Sequence, residues 1–138
     1  MAVLARASAA EIEARLAETD KLPPHTRLRG PEVGLVMVRG RAGGGGAPFN
    51  LGEMTVTRCT VRNEAGWVGH AYVAGRDLRQ AELAAVLDAS LQDPARREAL
   101  ERDVIDPLAT AQEAARAETR RKAAATEVQF FTLSTMRT

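Results

Sequence analysis

Apolar positions follow two spacings along the chain. Ile12 and Leu16 lie four apart behind Ser8 and Glu11, which form an S-x-x-E capping box, and together they predict a first helix near 8–19. Pro23-Pro24 ends it. Thr26 to Arg29 reads as a short strand, with Gly30-Pro31 bending the chain or breaking its pairing. From Val33 the spacing becomes two. Val33, Leu35 and Met37 point one way and Val36 and Val38 the other, so a strand near 33–39 carries apolar residues on both faces and is expected to be covered on both. Residues 40–52 are expected to be loop, because Gly43 to Gly46 lose too much backbone freedom and Pro48 lacks a donor. Strands follow near 54–62 and 67–74, joined by a turn at Asn63 to Gly66 as a β-hairpin.

Helical spacing then returns. Asp77 and Gln80 form a D-x-x-Q capping box ahead of a helix near 78–91, with Leu83, Leu87 and Leu91 on one face and Ala84 beside them. Asp93-Pro94 is an N-cap followed by proline at the first helical position. The stripe Leu100, Val104, Leu108, Ala111 and Ala115 continues across Pro107, which predicts one kinked helix over 94–123 with a basic end. The tail, near 127–133, is apolar and β-prone and reads as a last strand. The fold class expected is α+β: a mainly antiparallel sheet of about four strands packed with three helices, in a single domain spanning 1–138.

Composition qualifies this core. Of 138 residues, 26 are alanine and only five are Phe, Tyr or Trp, so the 45% apolar fraction overstates the area that can be buried, and a partner surface would offset the deficit. The net charge of +1 argues against binding a bulk polyanion, and no aromatic interleaving for nucleic acid is present. Only two of the 19 basic residues are lysine, and arginine's planar fork suits bidentate contact with phosphate or carboxylate. Cys59, the single cysteine, permits no internal disulfide and reads as a small core residue. The chain start has no sustained apolar run resembling a signal peptide, and no stretch approaches a membrane span; a cytoplasmic protein is expected.

The glycine loop and its arginines are the candidate functional surface. Arg39, Arg41 and Arg58 are expected on strand ends beside it, with at least two guanidiniums on the loop side, and backbone amides of Gly43, Gly44 and Gly46 are candidates for an anion nest. A mobile surface loop with solvated arginines is the plainer alternative. It is not a P-loop: no Lys-Ser/Thr follows the glycines, and no helix does. Glu53 reads as a base or, more ordinarily, an ion-pair partner of Arg58. His70 has no second ligand at metal spacing and reads as a locally hydrogen-bonded strand histidine. No metal site and no catalytic constellation emerges, and the catalytic residues stay unknown at this point.

Longer stretches carry a resemblance. GLVMVRGRAGGGGAPFNLGEMTVTRCTVR, then GHAYVAGRD, then AELAAVLDASLQ, with the tail VQFFT, resemble the G subunit of the bacterial carbon–phosphorus lyase core complex. The match is dense over 33–92 and covers the rest by layout. Gly45 departs from it, standing where many members are expected to have Thr or Asp. The resemblance implies an accessory subunit of a transferase. With its G, H, I and L subunits, that complex displaces adenine from ATP and joins an alkylphosphonate to the ribose anomeric carbon. The catalytic centre is placed in the I subunit. ATP is then a substrate of the complex, with no cofactor in this chain. The partners are H-, I-, J- and L-type subunits, closest the I-type, with no nucleic acid and no membrane.

Two further classes stay open beside it: a non-enzymatic assembly module whose loop and tail only bind partners, and standalone nucleotide binding, the weakest for want of a phosphate motif. Phe130, Phe131 and Leu133 lie on both faces of the short tail, so one sheet face cannot bury them all. They are the candidate partner interface, by addition of the tail to another subunit's sheet edge. An ordinary internal edge strand under the long helix is the alternative.

Overall fold

The chain builds an antiparallel meander with helices against one face. The computed structural model describes residues 1–19, 21–43 and 45–128. The expected tail strand, with Phe130, Phe131 and Leu133, lies outside the described residues, as does Gly44. The order is α1 (Ala9–Leu16), β1 (His25–Gly40), β2 (Phe49–Asn63), β3 (Val68–Ala74), α2 (Leu78–Leu91), α3 (Pro94–Leu100), a π-helical turn (Glu101–Ile105) and α4 (Asp106–Ala125). Three strands in the order β1-β2-β3 form the described sheet, against the four expected.

The helix start signals place the N-caps as read, whereas α1 ends at Leu16, well before Pro23-Pro24. Ser8 and Glu11 close a reciprocal capping box, Glu11 accepting from the Ser8 amide at 2.8 Å. Asp77 caps α2 by accepting from the Gln80 amide at 2.9 Å. Gln80 does not complete a box: its side-chain amide instead donates to the carbonyls of Leu4, Ala5 and Ala7, tying the first residues of the chain to α2. Leu4 and Ala7 are buried in the core as a result. Pro107 cannot donate an amide, and the helix accommodates it by widening into the π turn just upstream, so α3 and α4 run on as one interrupted helix.

The helix α2 is the centre of the packing. The sequence suggests a single leucine stripe, but Ala81, Leu83, Ala84, Ala85, Val86, Leu87 and Ala89 are all buried. The sheet lies on one side of α2, and the N-terminal segment and α3 lie on others, so a helix apolar around most of its circumference is what the site requires. Facing α2 are Thr57, Cys59 and Val61 of β2 and their partners Val73, Ala71 and Gly69 of β3.

The strand β1 is longer than either segment read from sequence. It absorbs Leu28 and the Gly30-Pro31 step as two register shifts against β2, so the expected break is a pair of bulges and the strand continues through them. The loop is correspondingly shorter. Phe49 to Gly52, expected in the loop, pairs with Val38 to Gly40, and a third register shift leaves Leu51 as the extra residue. Pairing along a hairpin overrides the weak local preference of these glycines.

Candidate functional site

Three charged clusters organise the hairpin, and they sit at different heights along it. At its base, His25 and Arg27 face α2. Arg27 grips the Glu82 carboxylate with Nε at 2.7 Å and a second guanidinium nitrogen at 2.9 Å, and His25 Nε2 lies 3.1 Å from Oε1. Glu82 is 7% exposed. The Arg27 hydrogen bonds hold its carboxyl below the usual carboxylate range, with His25 assisting against the opposing effect of burial. This cluster fastens β1 to the central helix.

A depressed carboxyl pKa contributes stability above the unfolded value of about 4.3, and that contribution fades as pH falls through the folded value. Glu82→Gln is therefore expected to cost about 1–2 kcal/mol at neutral pH, discounted because Arg27 is half exposed. The gap from wild type should begin to narrow as pH falls below about 4.3 and keep narrowing through the lower folded value. Urea midpoints at pH 7 and pH 3.5 measure it; an equal gap at both would remove the ion pair from the account.

The second cluster is on the opposite face of the sheet. Glu32 Oε1 accepts from Arg58 Nε at 2.6 Å and lies 3.1 Å from Arg29 Nε. Tyr72 stands across from Arg58 in the neighbouring strand, and His70 Nδ1 lies 3.2 Å from the Thr60 hydroxyl. His70 is thus the locally bonded strand histidine expected. Cys59, buried on the other face, donates to the Arg29 carbonyl at 3.5 Å, and burial pushes its thiol pKa up.

Here one expectation is corrected. Arg58 is not beside the glycine loop. Because β2 starts at Phe49, nine residues separate Arg58 from the loop end, about 30 Å of extended chain. Its ion-pair partner is Glu32, not Glu53, which stands opposite Met37.

The third cluster is the tip. Arg39 and Arg41 are both exposed at the mouth of the 41–48 loop. Arg39 reaches the Pro48 carbonyl at 3.5 Å, and neither arginine makes a salt bridge to a described residue. Gly43 and Gly46 have φ of +78° and +133°, which side-chain-bearing residues rarely adopt. The tip therefore presents two cations and a backbone that only glycine follows comfortably. Chemically it can neutralise an anion; it offers no acid, base or nucleophile of its own. Among the described residues there is no group of three His, Cys, Asp or Glu placed to hold a metal, and no helix is long and apolar enough to cross a membrane.

Between tip and base lies what the sequence reading did not place. Beyond Val56, which pairs with Ala74 at the end of β3, the β1–β2 ribbon has no third strand and no helix against it among the described residues. Leu35, Met37 and Leu51 are 62%, 51% and 55% exposed. The two-faced apolar pattern of 33–38 was legible; the cover it implied is absent from the described chain.

Comparison with known proteins agrees with the quoted motifs. The family model for PhnG, a phosphonate metabolism protein, matches residues 1–136. The alpha-D-ribose 1-methylphosphonate 5-triphosphate synthase subunit PhnG of Rhizobium meliloti (strain 1021) is 49% identical over 139 residues, covering 96% of this chain and 85% of that protein.

Proposed function

The chain belongs to the PhnG family of phosphonate metabolism proteins, and from that membership we propose that it is an accessory subunit of the carbon–phosphorus lyase complex. There it supports transfer of the ribose triphosphate of ATP to an alkylphosphonate with release of adenine. The observation that carries this is the match over almost the whole chain to a synthase subunit of that name. The site chemistry is compatible. A phosphonate oxygen bonds to the ribose anomeric carbon, the glycosidic bond to adenine breaks, and adenine leaves with its electron pair and takes up a proton. The reacting partners carry a triphosphate and a phosphonate, so the step needs cations more than it needs another nucleophile. Arg39 and Arg41, with the backbone of Gly43, Gly44 and Gly46, supply charge and amides of the right kind. Arg58 is committed to Glu32 and stands apart from them.

In this reading the chain carries no cofactor, and ATP is a substrate of the complex. Its partners are H-, I-, J- and L-type subunits in the cytoplasm, with the I-type nearest and the tail at Phe130, Phe131 and Leu133 forming one contact. Reconstitution tests it. With ATP and methylphosphonate, adenine release followed by chromatography should need this chain together with the other subunits, and the chain alone should release none. Undiminished adenine release from the complex lacking this chain would overturn the proposal.

A further inference from the structure

We propose that the distal part of the β1–β2 hairpin is an insertion arm that seats in a cleft of another subunit of the synthase, an apolar cleft with anionic groups at its far end. The inference rests on the subunit role proposed above.

The arm consists of Gly34 to Gly40 paired with Phe49 to Thr55, about 23 Å of two-stranded ribbon. An isolated two-stranded ribbon is marginal in water. This one also has both faces apolar. Leu35 and Met37 continue the face that packs on α2 lower down, as their register with Thr55 and Glu53 shows. Val36, Val38 and Met54 form the opposite face. Both strand edges are open along the arm among the described residues. Soluble monomers avoid such a surface, and charge usually guards an open edge; along this arm the charged residues are Arg39, at its tip, and Glu53, which leaves 34–38 uncharged.

Charge selects the occupant. Residues 25–63 hold six arginines against two glutamates, a net +4 in a chain of net +1, which leaves −3 for the remainder. Two arms packed on each other would oppose like charges, Arg39 and Arg41 included. The body of a second copy offers an apolar hollow of about 480 Å³ beside Leu16, Leu22, Leu83 and Val86. That hollow is bordered by Lys21 and Arg79, and its two glutamates already hold Arg79, Arg27 and His25. Its lining charges cancel and both glutamates are paired, so it offers a basic tip no free anion. A different chain with an apolar cleft that holds the anionic substrate at its far end matches both the faces and the tip.

The test is co-expression with the H-, I-, J- and L-type subunits. In Leu35→Ser/Met37→Ser/Leu51→Ser the lone chain should keep its circular dichroism and melting profile, since these side chains are exposed there. Its apparent affinity for the other subunits should fall at least about a hundredfold, because three large apolar side chains no longer transfer out of water. Unchanged assembly of the triple variant, beside assembling wild type, overturns the arm and leaves the subunit role standing. Wild type that assembles with none of these subunits overturns the role and the arm together. A wild-type dimer of the lone chain that the triple variant dissociates, seen by sedimentation, assigns the arm to a second copy and overturns the partner. Hydrogen exchange on wild type covers the case of a misfolded variant. Amides of the arm should gain protection in the complex over the lone chain, and no gain there overturns the proposal.

Discussion

Gly69→Ala is expected to destabilise the chain by about 3 kcal/mol or more, the largest effect of any single methyl group in the fold. Gly69 sits on β3 opposite Val61, on the face that meets α2. A Cβ there would fall on the carbonyl oxygen of Ala85 and the amide nitrogen of Ala89, and 2.9 Å from the Ala89 side chain. Two of these contacts are helix backbone, which cannot rotate aside. The helix would have to lift from the sheet, and Ala81, Ala85, Leu87 and Ala89, all fully buried or nearly so, would lose contact with it. In an alanine-rich core close approach substitutes for side-chain bulk, so the loss is not compensated locally. Gly34→Ala is the control. An added Cβ there meets nothing within 4 Å, and its midpoint should match wild type or exceed it slightly. Urea unfolding of both variants settles the comparison; a wild-type midpoint for Gly69→Ala would mean that α2 does not sit on β3 as described.

Local chemistry was legible from sequence where it acts over a few residues. Ser8, Asp77 and Asp93 cap helices because a side-chain oxygen and an amide two or three positions on are all that a cap requires. The hairpin of β2 and β3 was legible through its alternation and the Gly66 turn, where φ is +91°. What depends on register was not. Four glycines suggested a loop reaching to 52, yet the paired strand begins at Phe49, four residues sooner than local preference allows. Arg58 was misplaced by the same cause, since only the pairing of β2 with Glu32 and Tyr72 fixes its height on the sheet. Leu4 and Ala7 gave no periodic signal; they are buried because Gln80, far along the chain, supplies donors to their carbonyls. The candidate site was half legible for a related reason. The residue types at the tip are readable, but their separation from the other arginines is a property of the ribbon's length.

That separation makes the tip testable independently of assembly. Arg39→Ala/Arg41→Ala is expected to lower adenine release by the complex by about two orders of magnitude, with the subunits still co-purifying at wild-type ratio. A charge-assisted contact that becomes desolvated is worth about 1.5–3 kcal/mol, and each tenfold in rate is about 1.4 kcal/mol. Either arginine alone should therefore cost about tenfold or somewhat more. Lysine at both positions should recover only part of the rate, because an ammonium keeps the charge and loses the bidentate fork. Arg58→Ala supplies the contrast. It breaks a half-exposed pair with Glu32, worth under about 1 kcal/mol, and should leave the rate nearly unchanged. The apolar arm variant and the arginine variant then fail in different ways: the first loses partners, the second keeps them and loses turnover. Full turnover and full assembly in Arg39→Ala/Arg41→Ala would take the glycine loop out of the chemistry and leave the hairpin tip a terminus of the arm. Lost assembly in that variant, with normal folding, would instead make the two arginines docking contacts, since a cation that only meets the triphosphate or the phosphonate has no reason to hold a subunit in place when neither is bound.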